Sequence, residues 1–391
     1  MISSVYIAKN VYGGDGMGRL GDGRVIFVPG AWEGEQVKAE ITVAKKNFVK
    51  ARLVEVEEAS PDREEPGRTV PGMVYAGLAF KAENRIKRQQ LDEALARARI
   101  DHPEIVTIPT EQALNYRNKA VYHFEGTKIG YLAEPEHRVV EVEQDPLVLP
   151  AINAALPEIR QNVKSLLTLG AKAVRDSIAR KASVTVRYSP KSGVKWWLGD
   201  DVKDTVMLET TLGKSFEVPA GGFYQVNPEA GERLVQAVRQ EYLNGKDSAP
   251  NVLDLYCGVG VFGICCEPPR LTGIESGRAA IDFALKNADR ARQPAAFYAE
   301  EVGRNMRRIG IGGQTCVIVD PPRDGLEKGV AEWLARSKAP RIIYVSCDPA
   351  TLVRDLRVMT RTYAVETVKW VNMFPRTARF ETMVTLRKRQ A

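Results

Sequence analysis

The chain has 391 residues, 44% of them hydrophobic and 27% charged, which suits a globular protein with two or three cores. Its formal charge of +7 favours an acidic partner such as nucleic acid. Five cysteines without a C-x-x-C pair indicate neither a disulfide framework nor a zinc site, and no run approaches 18 apolar residues, so a cytoplasmic protein with reduced thiols and no membrane partner is expected.

Residues 1–58 alternate short apolar runs, as at 25–28 and 37–43, with glycine turns, a spacing that predicts a small β-barrel. The run G-G-D-G-M-G-R-L, then V-I-F-V-P-G-A, then G-E-Q-V resembles the TRAM domain, an OB-like RNA-binding barrel. SPDREEPGR at 60–68 reads as a polar linker, and KAENRIKRQQLDEALARARI as a helix over 83–99 with Ile86, Leu91, Leu95 and Ala98 at helical spacing. Residues 59–215 form a middle region of mixed α and β character, with strands at 120–125 and 182–188 and a helix at 153–168. Within it, 160–195 carries nine Lys or Arg against the single acid Asp176. Tyr188 lies among them and Trp196 and Trp197 follow directly, a mixture suited to phosphates beside stacked bases and equally to a solvated face.

From Phe216 the runs NVLDLYC, RLTGIES, AAFYAE, CVIVDPP and RIIYVSC alternate with helical stretches, the pattern of a parallel sheet covered by helices. Ligands in such sheets bind beyond the carboxyl ends of the strands, and each of these runs ends in a polar or reactive group. The first ends D-L-Y-C-G-V-G-V-F-G, placing Gly258, Gly260 and Gly263 at a turn that lets the backbone approach a nucleotide, while Glu275 at the end of the second can accept ribose hydroxyls. That spacing suits a dinucleotide or a methyl donor. Asp254 before the glycines and the D-x-Y-C-G-x-G string resemble the first motif of S-adenosylmethionine-dependent methyltransferases, with Tyr256 bordering the donor. In VIVDPPRDG the two prolines stiffen the backbone and hold the Asp320 carboxylate at the crevice; Arg323 follows, where amino-group methylases carry an aromatic residue.

RIIYVSCDPATLVRDL delivers Cys347 to a strand end, with Asp348 placed to cap the next helix and Pro349 at its first position. A helix N-terminus favours a thiolate. A thiolate beside a methyl donor fits methylation of a uracil C5, which is too weak a nucleophile unaided; addition of sulfur to C6 makes C5 electron-rich, and a base later removes the C5 proton. All three histidines, His102, His123 and His137, precede Phe216, so a carboxylate is the economical base, and NMFPRTARFETMVTL offers Glu381.

FYQVNPEAGERL, DLYCGVG, VDPPRDGL, YVSCDPATLVRDL and MFPRTARFET together resemble the RNA uracil-5 methyltransferases, which make 5-methyluridine in ribosomal or transfer RNA. The resemblance implies a Rossmann-like class I methyltransferase domain over 216–391, preceded by the OB-like barrel and a mixed α+β middle domain whose helix 83–99 packs on the catalytic domain. It implies that Gln225, Tyr256, Glu275 and Asp320, with Gly258 and Gly260, bind S-adenosylmethionine, that Cys347 is the nucleophile and that Glu381 is the general base. The expected partner is RNA, with 23S rRNA favoured over tRNA, no DNA and a monomeric state. Three departures stand out: PGRTVPGMVYAGL lacks the four cysteines that hold an iron–sulfur cluster in many members, so no cluster is expected; Arg379 replaces a histidine, and Asn372 an aspartate. RNA cytosine-5 methylation and a non-catalytic RNA-binding or assembly role are the alternatives. The first resembles a pattern with cysteine after the strand-four proline, where Arg323 stands here.

Overall fold

A computed structural model of the chain describes residues 1–125, 128–133, 138–168, 183–200, 202 and 205–390. It divides into two compact units, Met1–Asp92 with Phe374–Arg379, and Glu93–Met373 with Phe380–Ala391.

The first unit begins with five strands, β1 (Ile2–Asn10), β2 (Gly16–Arg19), β3 (Val25–Val28), β4 (Gln36–Ala44) and β5 (Phe48–Glu58), closed into a barrel in the order β1-β2-β3-β5-β4. Alternation along the strands turns Val5, Ile7, Ile26, Val28, Val37, Ala39, Val49 and Ala51 inward, which is the barrel's core. The stretch read as a linker is instead anchored. The buried Glu35 carboxylate pairs with the Arg63 Nε at 2.5 Å and accepts the Ser60 amide, and the Glu64 amide donates to the Gly77 carbonyl. A polar sequence looks like a linker when the buried acid that neutralises its arginine lies 28 residues upstream.

Helix α1 (Phe80–Arg97) opens in this unit and carries a fully buried Lys87–Glu83 ion pair of 2.7 Å, one helical turn apart. Lys87 also donates to the Phe374 carbonyl, and the Arg376 amide donates to Glu83. Residues 374–379 are therefore tied to this helix although they follow it by nearly 300 positions.

The second unit contains β6 (Ile105–Ile108), β7 (Lys119–Glu125), β8 (Lys128–Ala133), β9 (Arg138–Glu141), α2 (Pro150–Thr168), β10 (Ser183–Ser189), β11 (Gly193–Leu198), β12 (Val206–Thr211) and β13 (Lys214–Pro219). It continues through α3 (Pro228–Gly245), β14 (Asn251–Leu255), α4 (Val261–Cys266), β15 (Leu271–Glu275), α5 (Arg278–Arg290), β16 (Ala295–Ala299) and α6 (Val302–Asn305). Strand β17 (Thr315–Val319), α7 (Val330–Arg336), β18 (Arg341–Ser346), α8 (Pro349–Met359), β19 (Tyr363–Val371) and β20 (Glu381–Lys388) complete it. An antiparallel sheet runs β11-β10-β7-β8-β9, β12 and β13 form a hairpin, and the large sheet runs β16-β15-β14-β17-β18-β20-β19-β6.

Strands β14 to β18 are parallel, and β20 enters antiparallel between β18 and β19. The far edge of this sheet, β6, comes from the stretch read as the middle region and pairs parallel to β19. No described helix is long and apolar enough to cross a membrane.

Candidate active site at the carboxyl ends of the parallel strands

Parallel register brings Leu255, Ile274, Val319 and Tyr344 to one level, so Tyr256, Glu275 and Asp320 emerge along one rim of the sheet. From β14 the chain moves outward to β15 and β16, then returns past β14 to β17. The gap between β14 and β17 is thus the switch point where open α/β sheets bind ligands. The loop after β14 is built for close approach. Tyr256, Gly258 and Gly260 all take left-handed backbone angles, with φ of 62°, 53° and 87°. At Gly260 a methyl group would lie 2.9 Å from Ile264 and 3.2 Å from Phe297, whereas Gly258 has open space on that side.

A cleft open at one side lies against this loop. Tyr256, Gly258, Gln225 and Asp320 line it, joined by Phe262 beneath and by Glu209 and Thr211 of β12. Glu275 and Gly260 are not in its wall; Glu275 instead accepts the Gly258 amide at 3.4 Å and the Gly277 amide at 2.7 Å. The Gln225 segment is held by Asn118, whose amide donates to the Val226 carbonyl, and Asn227 caps α3 by accepting the Ala230 amide.

Two carboxyls sit behind the loop in protein of low polarity. Burial pushes Asp254 up to about 7, offset in part by the Gly263 amide that its Oδ2 accepts at 2.9 Å, with Glu275 adding to the rise. Asp320 is raised by burial first and by Asp254 second. Of the two, Asp320 lines the cleft, where a cation would draw it toward its ionised form.

Cys347 and Glu381 lie on the same rim, outside the wall of that cleft. Cys347 follows β18, half-buried, and the Asp348 carboxylate caps α8 by accepting the amides of Ala350 and Thr351. The other four cysteines are buried and burial pushes their thiols up, to about 12 at Cys265 and Cys316. Glu381 opens β20, buried, at the level of Val371. Ser346 pairs with Thr382 as the last pair of the β18–β20 ladder, and Cys347 and Glu381 flank that pair, one on each chain segment.

The family model described as tRNA (uracil-5-)-methyltransferase matches residues 190–389, just over half of the chain, and the TRAM domain matches residues 5–54. The chain belongs to the tRNA (uracil-5-)-methyltransferase family. It is therefore an RNA methyltransferase, with an RNA-binding barrel ahead of its α/β methyltransferase domain. An uncharacterised RNA methyltransferase of Thermotoga maritima is 27% identical over 99% of both chains. The tRNA (uracil(54)-C(5))-methyltransferase of Schizosaccharomyces pombe is 27% identical over 96% of this chain and 76% of that protein. Among solved structures, Pyrococcus abyssi tRNA (uracil-54, C5)-methyltransferase, in complex with S-adenosyl-L-homocysteine, shares the fold with a TM-score of 0.75 at 20% identity, covering 98% of this chain and all of its own.

For a member of this family, the basic segment 160–195 is less available than its sequence suggests. Arg187 is buried and pairs with Glu209 at 3.1 Å, Arg160 pairs with Glu141 at 2.9 Å, and Trp197 is buried. Lys172, Arg175, Asp176, Arg180 and Lys181 lie outside the described residues, as does Ala182, the first residue of an expected strand. Sequence reading missed Glu209 and Thr211 as cleft residues. The hairpin β12–β13 straddles the boundary expected at 215/216, and no local motif marks a wall strand.

Proposed function

We propose that this chain methylates C5 of a uridine in folded RNA, with Cys347 as nucleophile, Glu381 as general base and S-adenosylmethionine as donor. The end of the β18–β20 ladder at Ser346 and Thr382, which Cys347 and Glu381 flank, supports this reading. The site suits the donor in three respects: a left-handed loop with open space at Gly258, an acid at Glu275 bonded to that loop, and the Asp320 carboxyl in the cleft wall, which a cation would ionise. Gln225, Tyr256, Gly258, Gly260, Glu275 and Asp320 would hold it. When bound, the donor supplies an electrophilic sulfonium methyl group.

The Cys347 sulfur adds to C6, and the electrons of the C5–C6 double bond move into the ring as an enolate, which makes C5 nucleophilic. After C5 has been alkylated, Glu381 takes its proton, the double bond re-forms, the S–C6 bond breaks and the thiolate returns. A stacked base offers no access to C6, so the target must swing out of its stack. In this reading the barrel at 1–58 and the region 59–215 grip flanking RNA, residues 216–391 carry the chemistry, and the protein works as a monomer in the cytoplasm.

For the RNA itself, the sequence favoured 23S rRNA, yet the two relatives named above with a stated substrate act on tRNA uridine 54. The names therefore support tRNA. RNA containing 5-fluorouridine tests the chemistry, because fluorine cannot leave as a proton: the protein should stay covalently attached, and Cys347→Ala should abolish attachment. An adduct that survives in the alanine variant rejects the assignment. Methyl transfer to separate tRNA and 23S rRNA transcripts then decides the substrate.

A further inference from the structure

Helix α5 buries Ile281, Ala284, Asn287 and Ala288, and Asn287 is the polar residue among them. An amide in an apolar stripe costs stability unless its hydrogen bonds are made. Asn287 makes three. Its Oδ1 accepts the Glu217 amide at 2.8 Å, and its Nδ2 donates to the carbonyls of Glu217 at 3.0 Å and Val259 at 3.1 Å.

Those partners belong to two different walls of the donor cleft. Val259 follows Gly258 in the loop after β14 and lines the cleft. Glu217 sits on β13 opposite Leu208 of β12, and the next three residues of β12, Glu209, Thr210 and Thr211, line the same cleft. By bonding both the N–H and the C=O of Glu217, the side chain does for that edge of β13 what a neighbouring strand would do. The second Nδ2 bond then ties this edge to the glycine loop. A leucine would fill much the same space on α5 and could fix neither backbone.

We propose that Asn287 is a positioning residue for the methyl donor, holding the glycine loop and the β12–β13 hairpin at the spacing that S-adenosylmethionine needs. The proposal rests on this cleft being the donor site, though not on Cys347 chemistry. Linkage supplies a second consequence: if the bridge raises donor affinity, the bound donor tightens the bridge by the same factor.

Calorimetric titration of the full-length chain with S-adenosylhomocysteine reads affinity and the number of competent sites separately. Asn287→Leu should weaken binding about tenfold with the stoichiometry of the parent chain. In methylation of uridine RNA its donor KM should rise by a similar factor, while kcat at saturating donor and KM for RNA hold. Arg290→Ala removes only the surface pair between α5 and the Glu217 carboxylate and should leave donor affinity unchanged. An asparagine with a purely structural role would give fewer sites at unaltered affinity, and that result overturns the proposal. So does an equal loss in Arg290→Ala.

Amide hydrogen exchange on the unaltered chain gives a reading that does not depend on how a variant folds. S-adenosylhomocysteine should slow exchange of the Glu217 amide together with the amides of residues 258–262. Protection of the loop with Glu217 unchanged overturns the proposal alone. An unprotected loop removes this cleft as the donor site, and the proposal with it. The Cys347→Ala chain should show the same protection, so failure of the methylation mechanism is read separately.

Discussion

Ser346 of β18 faces Thr382 of β20 in the last pair of their ladder, and Cys347 and Glu381 flank that pair at the rim of the sheet. Neighbouring strands lie about 4.8 Å apart, so residues that flank the last pair of a ladder start from adjacent backbone.

This relationship separates the two halves of the reaction. Glu381→Gln keeps the size and hydrogen-bonding capacity of the side chain but cannot take the C5 proton. The variant should still form the covalent complex, and with ordinary uridine RNA that complex should accumulate on a denaturing gel. Turnover should fall by about 10²- to 10⁴-fold, the usual worth of a positioned base. Turnover near that of the parent would remove Glu381 from the mechanism.

The two glycines after β14 should respond differently to alanine. At Gly260 the new methyl meets Ile264 and Phe297 in a backbone with φ of 87°, so both folding and donor affinity should suffer. Gly258→Ala meets open space, and the left-handed backbone alone should cost about 1–2 kcal/mol. Thermal melts and calorimetric titration with the donor read the two effects separately. Equal loss of stability in both variants would contradict the packing described for Gly260.

Asp254 makes stability depend on pH in the direction opposite to most acids. Its folded value, near 7, lies above the ordinary carboxylate value of about 3.9. Between roughly pH 4 and 7 the folded chain holds a proton that the unfolded chain releases, so this group's contribution falls as pH rises through that window and levels off above it. Asp254→Asn can still accept the Gly263 amide and should flatten the slope. Melting temperatures from pH 5 to 8 without donor would show it; an unchanged slope would assign the effect to other groups.

The parts of this architecture that were legible in sequence are those with local signals. Each parallel strand reads as an apolar run ending in a polar group, and Asp348-Pro349 announces the cap of α8, which forms as expected. The barrel follows from its alternation and turns. What escaped depends on partners distant in sequence. The placement of β6 is decided by β19, more than 250 residues later, and nothing within Ile105–Ile108 distinguishes an edge of the large sheet from any other short strand. Arg187 counted among the basic residues of 160–195 because its buried partner Glu209 lies on another strand, outside that segment.

That buried pair also links fold to cleft. Arg187 of β10 donates to Glu209 of β12 and to the carbonyls of Ala220 and Gly222, just before the Phe223–Gln225 segment that lines the donor cleft. Burial lowers the arginine and raises the glutamate, and each partner opposes the other's shift, so neither charge is comfortable alone. Arg187→Met should therefore cost about 3–5 kcal/mol, because it strands a buried carboxylate, and adding Glu209→Leu should recover much of that loss. Donor affinity should fall in both the single and the double variant, since Glu209 is itself part of the cleft wall. Urea denaturation of the two single variants and the double gives the coupling, and a titration with donor gives the effect on the cleft. A single substitution costing under about 1 kcal/mol would mean that the hairpin is held by its apolar contacts and that the ion pair is incidental.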